Sequence, residues 1–425
     1  MAMFGVRSAM IARVGALVGC MTAAIGCDGG AAEEADPAAD AGDASEVTPG
    51  KGDSAFDPAN VATFTGVLPD SATVRGVQVH NLLDELAPDF DRTLRDALGT
   101  RLVASGTGYE GPSGGYSRDT SVVWTRDYTP IVVGTPEGKV VVSYLSVNPT
   151  RSGYTGSNWI PVTPPSPAHQ WYPHPGATGG EWRRTESLPL LHENGNLVAT
   201  GRWLFASDRL IRLNTAASEG SDAAHLRTAG WKPRSREAVL DLLASATRTP
   251  RDRIVVLPSM PGEKTDHIDL VILALAADEV MVPEVREDVL GIITYGHEIE
   301  LGWRVREYLD DVATTLTDLG VTVHRLPMLP PLYLEADSGA PTGYHGTFFS
   351  PANALQAHFA GERARVWLPT FEPVGFPDAY RALASDYVAT WVAFFEARDA
   401  VVTTLDATAL GRAYGLFRCV TAPLF

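Results

Sequence analysis

Short apolar runs of strand length recur along this chain, separated by longer stretches in which apolar residues return every three or four positions. Val122-Val123-Trp124 and Ile131-Val132-Val133 read as strands. Lys139 to Val147 reads as the partner of the second, after the turn Thr135-Pro136-Glu137-Gly138. Leu197 to Phe205 is a further apolar run. Val239, Leu242 and Leu243 give Arg236 to Thr247 helical spacing, leading into the strand Ile254-Val255-Val256-Leu257. Asp269 to Val282 holds two strand-like runs split at Ala277-Asp278. Trp303 to Leu319 predicts a long helix, stopped by Gly320 and followed by the strand Val321-Thr322-Val323. The same helix-then-strand unit recurs at Asp378 to Arg398 and Ala400-Val401-Val402. Such alternation, with no long linker, predicts one α/β domain over residues 55–425, either simple or built of structural pseudo-repeats. Thr155 to Arg184, dense in Pro, Gly, Trp and His, reads as a surface insertion or a substrate-facing loop.

The first 54 residues break the pattern. Arg7 and Arg13 precede an uncharged apolar run, Val14 to Gly26, of signal-peptide length and too short to span a bilayer. It ends Ala24-Ile25-Gly26-Cys27, which resembles a bacterial lipobox. Residues 1–27 are therefore read as a lipoprotein-type signal peptide with Cys27 as the lipidated residue. Leu17-Val18-Gly19-Cys20 also fits, but cleavage there leaves only a short apolar stretch after Arg13. An ordinary signal peptide with incidental cysteines is the alternative. Residues 28–54, rich in Ala, Gly, Asp and Glu, have Val47 as their single branched apolar side chain, and read as a disordered acidic tether. The expected location is the cell envelope, with membrane contact through the lipid anchor alone. The formal net charge is -17, and the tether's eight acids and one Lys supply about -7 of it. An acidic body argues against nucleic acid as a partner and is compatible with cationic ligands.

With Cys20 and Cys27 in the signal segment, Cys419 is the one thiol left of the chain's three. It has no partner for an internal disulfide, so it is a buried hydrophobe or a retained nucleophile. Three other polar clusters interrupt the apolar pattern. Trp124-Thr125-Arg126-Asp127-Tyr128-Thr129-Pro130 places an Arg-Asp pair between strand runs, which also suits a strand-end ion pair. His192-Glu193-Asn194-Gly195-Asn196 precedes the strand Leu197-Val198-Ala199 and also suits a hairpin turn. Thr265-Asp266-His267-Ile268-Asp269 heads an expected strand at Leu270-Val271-Ile272, which puts His267 and Asp269 on one face. That pair suits acid–base work, a metal, or a plain hydrogen bond.

One chemistry uses all four. A guanidinium is planar and permanently charged, and two carboxylates can grip it in plane. Its carbon reacts poorly, so a thiolate is a suitable nucleophile, and a histidine must protonate departing ammonia and then activate water. Asp127 and Asp269 supply the clamp, His267 the acid and base, Glu193 a carboxylate to orient it, and Cys419 the nucleophile.

The ordered segments Trp124 to Pro130, Glu193 to Asn196, His267 to Asp269 and Gly415-Leu416-Phe417-Arg418-Cys419-Val420-Thr421 resemble those of the agmatine deiminase and bacterial peptidylarginine deiminase family, within the guanidine-modifying (pentein) superfamily. Tyr344 to Asn353, followed by Val366-Trp367-Leu368-Pro369, is similar to that family's Ser-Tyr-x-Asn-Phe segment and its following strand. The resemblance implies an α/β propeller of five ββαβ pseudo-repeats. It also implies hydrolysis of a guanidinium to a ureido product and ammonia through a Cys419 thiouronium, without metal or organic cofactor. Substrate contact would fall to Asp127, Asp269, Trp124 and Arg126, and the substrate to a small guanidino compound such as agmatine, to arginine, or to an arginyl peptide. Three departures stand out. Asn194 replaces a Gly, and Asn tolerates left-handed backbone. Arg418 stands where many members have His, either to lower the thiol pKa or to bind a substrate carboxylate. Gly346 or Thr347 falls where the Asn of Ser-Tyr-x-Asn-Phe belongs. An amidinotransferase, a non-catalytic surface pentein that binds cationic ligands, and a metallohydrolase using His192, His267, Asp269 and His297 are the competing readings.

Overall fold

The long periodic segments fold as their spacing predicts. Arg236–Thr247 is a helix that buries Val239, Leu240 and Leu243, and Ser235 caps it by accepting a hydrogen bond from the Ala238 amide at 3.2 Å. Helix Gly296–Asp318 buries Leu301, Val305, Leu309, Val312 and Leu316, a single stripe. It ends at Gly320, whose φ of 79° suits a residue without Cβ. Helix Asp378–Glu396 buries Tyr380, Ala384, Tyr387, Trp391 and Phe395. Its Trp391 ring nitrogen donates to the Pro327 carbonyl at 2.7 Å, which ties it to the neighbouring unit.

The computed structural model describes residues 66–80, 83–105, 124–129, 131–136, 138–146, 182–215, 231–292, 296–331, 347–371, 378–412 and 415–425. All of them belong to one unit, Asp57–Leu334 with Tyr344–Phe425. Residues 1–54, with Cys20 and Cys27, lie outside the described residues, as does most of 155–184. No helix among the described residues is long and apolar enough to cross a membrane.

The strands are β1 (Gly66–Val67), β2 (Gly76–His80), β3 (Leu102–Ser105), β4 (Ile131–Thr135), β5 (Gly138–Ser146), β6 (Trp182–His192), β7 (Leu197–Ala199) and β8 (Leu204–Ser207). They continue with β9 (Ile254–Leu257), β10 (Leu273–Ala276), β11 (Glu279–Glu284), β12 (Thr322–Pro327), β13 (Leu355–Ala357), β14 (Arg365–Thr370), β15 (Val401–Asp406) and β16 (Thr421–Leu424). They form five small sheets, and one pattern repeats in each. A first strand runs antiparallel to a second, and the second runs parallel to a third. The triplets are β4-β5-β6, β7-β8-β9, β10-β11-β12, β13-β14-β15 and β16-β2-β3. Strand β1 extends the β4 edge. A parallel partner needs a crossover, and helices supply it where the crossover is described: Pro88–Leu98, Asp208–Thr215 with Arg236–Thr247, Gly296–Asp318, and Asp378–Glu396. The middle strands β2, β8, β11 and β14 are almost wholly buried; β8, β11 and β14 accordingly centre on apolar runs, while β2 carries the buried Gln78 at its centre. The last triplet uses both ends of the chain: β16 pairs with β2, with Thr421 opposite Val79.

Several expectations are corrected. Ile268–Leu270 is a 3-10 turn and the strand starts only at Leu273, so His267 and Asp269 do not share a strand face. Asn194–Asn196 is also a 3-10 turn, and it joins two different sheets, so it closes no hairpin. Asn194 is not left-handed; the positive-φ residues other than Gly are Arg248, Asp266 and Asp399 among those described. Trp124 leads into a helical turn, Thr125–Tyr128, while Val122 and Val123 lie outside the described residues. Trp182, Arg183 and Arg184 belong to β6 rather than to a loop.

Candidate active site

Each repeat is entered through a short connection just before its first strand, and the chemistry sits in these connections. Thr125–Tyr128 precedes β4, Glu193 to Asn196 precedes β7, and His267 to Leu270 precedes β10. Pro351–Asn353 precedes β13, and Phe417 to Val420 precedes β16. The five connections bond to one another around a closed circuit. The Arg126 amide donates to the Cys419 carbonyl at 3.1 Å. The Arg418 and Cys419 amides donate to Asn353 Oδ1 at 3.1 and 3.2 Å. Asn353 Nδ2 donates to the Asp269 carbonyl at 3.4 Å. His267 Nε2 lies 3.0 Å from Glu193 Oε2. Asn194 Nδ2 donates to the Thr129 carbonyl at 2.7 Å and closes the circuit.

Cys419, His267, Glu193, Asp127 and Asp269 therefore come together. Cys419 Sγ is 4.0 Å from Asp269 Oδ2, and His267 Nδ1 is 3.8 Å from Asp127 Oδ1. The Cys419 sulfur is a further neighbour that favours the charged form of His267. Two glycines make room. A Cβ on Gly195 would lie 2.2 Å from His267 Nδ1, and one on Gly415 would lie 2.4 Å from the Trp124 ring. Trp124 thus packs directly on the backbone that leads to Cys419. Behind His267, the buried Glu263 carboxylate accepts the Thr265 amide and hydroxyl at 2.9 and 2.8 Å and the His267 amide at 3.0 Å. Asp266 takes a φ of 55° and receives Arg209 and Arg212 at 3.3 and 3.0 Å, so its part is structural.

Burial sets the proton positions. It pushes the Cys419 thiol up to about 11, helped by the Asp269 carboxylate and opposed by His267. It pushes Asp127 up to about 7, against the pull of His267. Burial alone disfavours a charged His267, but Asp127, Cys419 and Glu193 outweigh it and hold the ring well above its ordinary value. Glu193 loses solvent too, yet its bond to His267 keeps it below the usual carboxylate range. The resting site is an imidazolium beside an ionised Glu193 and a neutral thiol.

Asp127 carries a stability consequence. Its folded pKa lies above its unfolded value, so its contribution is full below about pH 4 and is lost as pH rises through about 7. Asp127→Asn is expected to stabilise the fold at pH 8 by on the order of a few kcal/mol, an advantage that vanishes near pH 4, while turnover falls at least about 100-fold. Urea unfolding at both pH values checks this. A variant no more stable than wild type at pH 8 would contradict the strained placement of this carboxylate.

Arg126 and Arg418 are both held by acceptors of the protein itself. Arg126 Nη2 donates to Asp70 Oδ1 at 3.1 Å and Nε donates to the Arg418 carbonyl at 3.0 Å. Arg418 pairs with Asp70 Oδ2 and donates to the Ile272 carbonyl at 3.1 Å. With side chains only 9% and 3% exposed, both guanidinia are committed to the protein, and Arg418 is not offered to a substrate carboxylate. Among the described residues no three His, Cys, Asp or Glu side chains converge as metal ligands. His192 is buried against Asn194, and burial pulls its pKa down to about 4. The side chain of His297 lies outside the described residues.

Sequence reasoning missed Asp70, Glu263 and Asn353. The first two carry no local signal. Asn353 did carry one: Ser350 and Asn353 have the spacing of the Ser and Asn in Ser-Tyr-x-Asn-Phe, so the matching segment is Ser350 to Asn353 and not Gly346 or Thr347.

No protein-family profile matches the chain, and no curated protein matches it in sequence. Solved structures do. A Porphyromonas gingivalis protein provisionally assigned as an arginine deiminase is 16% identical with a TM-score of 0.53, covering 84% of this chain and 97% of its own. A protein provisionally assigned as an agmatine deiminase is 13% identical with a TM-score of 0.52, covering 86% and 97%. The agmatine deiminase of C. jejuni is 12% identical with a TM-score of 0.50, covering 85% and 96%. In fold, this α/β chain is similar to these structures.

Proposed function

We propose that this protein is a cysteine-dependent deiminase of the agmatine and peptidylarginine deiminase family, hydrolysing a guanidinium to a ureido group and ammonia. The observation that carries the reading is the convergence of Cys419, His267 and three carboxylates from four separate connections, with Sγ 4.0 Å from Asp269 and the ring between Glu193 and Asp127. An inert core cysteine has no need of such company. The five repeats, each entered through a connection that reaches the same circuit, support a propeller of five ββαβ units around a pseudo-fivefold axis.

The chemistry follows from the charges. Asp127 and Asp269 receive the planar cation in this reading. A guanidinium between them offsets the Asp269 charge that adds to burial in raising the thiol, so the thiol ionises as substrate binds and its proton passes to solvent. The thiolate adds to the guanidinium carbon, and His267 gives its proton to the departing nitrogen, which leaves as ammonia. The carbon stays on sulfur as a thiouronium. Water then enters, the neutral His267 takes its proton, the oxygen adds to the carbon, and the C–S bond breaks to return the thiolate. The balance is guanidinium plus water giving a ureido group plus ammonium. Glu193 steadies His267 in both protonation states.

The signal segment and acidic tether support placement at the cell envelope, where guanidino groups of small metabolites and of arginyl peptides are both met. A side-by-side ammonia-release assay on agmatine, arginine and an arginyl peptide, using residues 55–425, tests the reading. At least one is expected to yield its ureido product. No turnover of any of the three would refute a deiminase and favour a surface module that only binds cations.

A further inference from the structure

We propose that Asn353 is the residue that positions the nucleophile, by holding the backbone of Cys419 in register with the Asp269 arm of the carboxylate clamp; this rests on the deiminase reading only for its kinetic consequence. Four of the five connections supply a side chain to the site, and Asn353 belongs to the fifth, Pro351–Asn353. Its own side chain is fully buried. Its Oδ1 accepts two successive amides, Arg418 at 3.1 Å and Cys419 at 3.2 Å. Its own carbonyl also accepts the Arg418 amide at 3.1 Å. From the other end, Nδ2 donates to the Asp269 carbonyl at 3.4 Å. A single planar amide therefore bonds the main chain of the nucleophile and the main chain of the clamp.

The support is itself fixed. Ser350 Oγ accepts the Ala352 amide at 3.1 Å, which caps the turn, and donates to the Leu270 carbonyl at 2.5 Å. Ser350 and Asn353 thus dock one turn onto the turn that carries Asp269, and Asn353 extends the contact to Cys419. No other residue type offers an acceptor for paired amides and a donor on the same rigid plane at this length, apart from the longer and looser Gln. The 4.0 Å separation of Sγ from Asp269 Oδ2 is a consequence of that bridge. The Asn353 side chain bonds main-chain atoms of Arg418, Cys419 and Asp269, so it is a positioning residue rather than a reacting one.

Two variants and two readouts test this. Asn353→Leu removes both kinds of bond. Asn353→Asp keeps the acceptor and adds a charge beside the thiol. The first readout is the pH profile of Cys419 alkylation by iodoacetamide between pH 7 and 11, followed by mass, on variants shown by melting to be folded. Without the bridge the sulfur is no longer held against Asp269, so the Leu profile moves to lower pH by about one unit or more, whereas the Asp profile moves to higher pH. The second readout is turnover of the substrate found above, where Asn353→Leu lowers kcat at least about 100-fold and leaves KM within about threefold. If Asn353→Leu fails to fold, the Asp variant decides by its profile. Folded variants whose profiles match wild type overturn the proposal whatever turnover does. If wild type hydrolyses no guanidino substrate, the functional reading falls, and the alkylation profiles still decide the role of Asn353.

Discussion

Cys419→Ser is expected to lower turnover of the preferred guanidino substrate by at least about 10⁴-fold while leaving the protein folded. The two halves of that result follow from different features. The residue is 4% exposed, and the backbone around it is fixed by Asn353 and Arg126 rather than by sulfur, so the smaller serine fits without rearrangement. Chemically the change is severe. A thiol pushed up to about 11 becomes a thiolate once a cation offsets Asp269, whereas a serine hydroxyl starts several pKa units higher and stays protonated beside the same cation. His267 cannot make up the difference as a base, because it rests as an imidazolium. Intact-mass analysis of wild type during turnover is expected to show a thiouronium adduct, released by water and absent from the serine variant. Residual activity within tenfold of wild type would mean that water attacks the guanidinium directly, with Cys419 merely lining the site.

Most of the helical framework was legible in the sequence, because the helices at 236–247, 296–318 and 378–396 are long enough for their apolar stripe to repeat several times. Strand β13 is three residues long, too short for any period to register, and its place became clear only from pairing, whereas the equally short β7 was marked by the apolar run Leu197-Val198-Ala199. The residue types of the site were legible too, since a thiol, an imidazole and three carboxylates in fixed order suit one chemistry. Their local geometry was not. His267-x-Asp269 reads equally well as a strand entry and as a helical turn, and the choice is made by Glu263, which accepts the His267 amide. Gly195 was read as turn chemistry, but its constraint is the His267 ring, which lies where a Cβ would stand. Asn353 was displaced by several residues in the sequence reading, because Pro351 breaks the pattern on which an alignment leans. Asp70 had no signal at all. It is an isolated acid at the start of the body, and only the pairing of β16 with β2 brings the chain end back to it.

That acid is where the largest loss of stability is expected. Asp70 takes Arg126 on one oxygen and Arg418 on the other, and all three residues are buried. Burial alone would raise its pKa, but the two guanidinia hold it below the ordinary carboxylate value. Asp70→Asn leaves both cations in the interior without a counter-charge, which costs about 3–5 kcal/mol. The sign of the pH dependence follows: a depressed folded pKa contributes stability above about pH 4 that is lost as pH falls through the depressed value, so the deficit of Asp70→Asn is full at neutral pH and shrinks in acid. Adding Arg418→Gln to Asp70→Asn removes one orphaned cation and should recover part of the loss, which urea titration of the single and double variants measures. The damage extends to chemistry, because Arg126 also holds the Cys419 and Arg418 carbonyls through its amide and Nε. The arginine beside the nucleophile is thereby explained by its partner: it pairs with Asp70, and Asp70 also holds Arg126, which bonds the Cys419 and Arg418 carbonyls. An Asp70→Asn variant within about 1 kcal/mol of wild type, the range of a solvated ion pair, would show that solvent reaches these guanidinia through the small cavity lined by Asp70, Arg126 and Arg418.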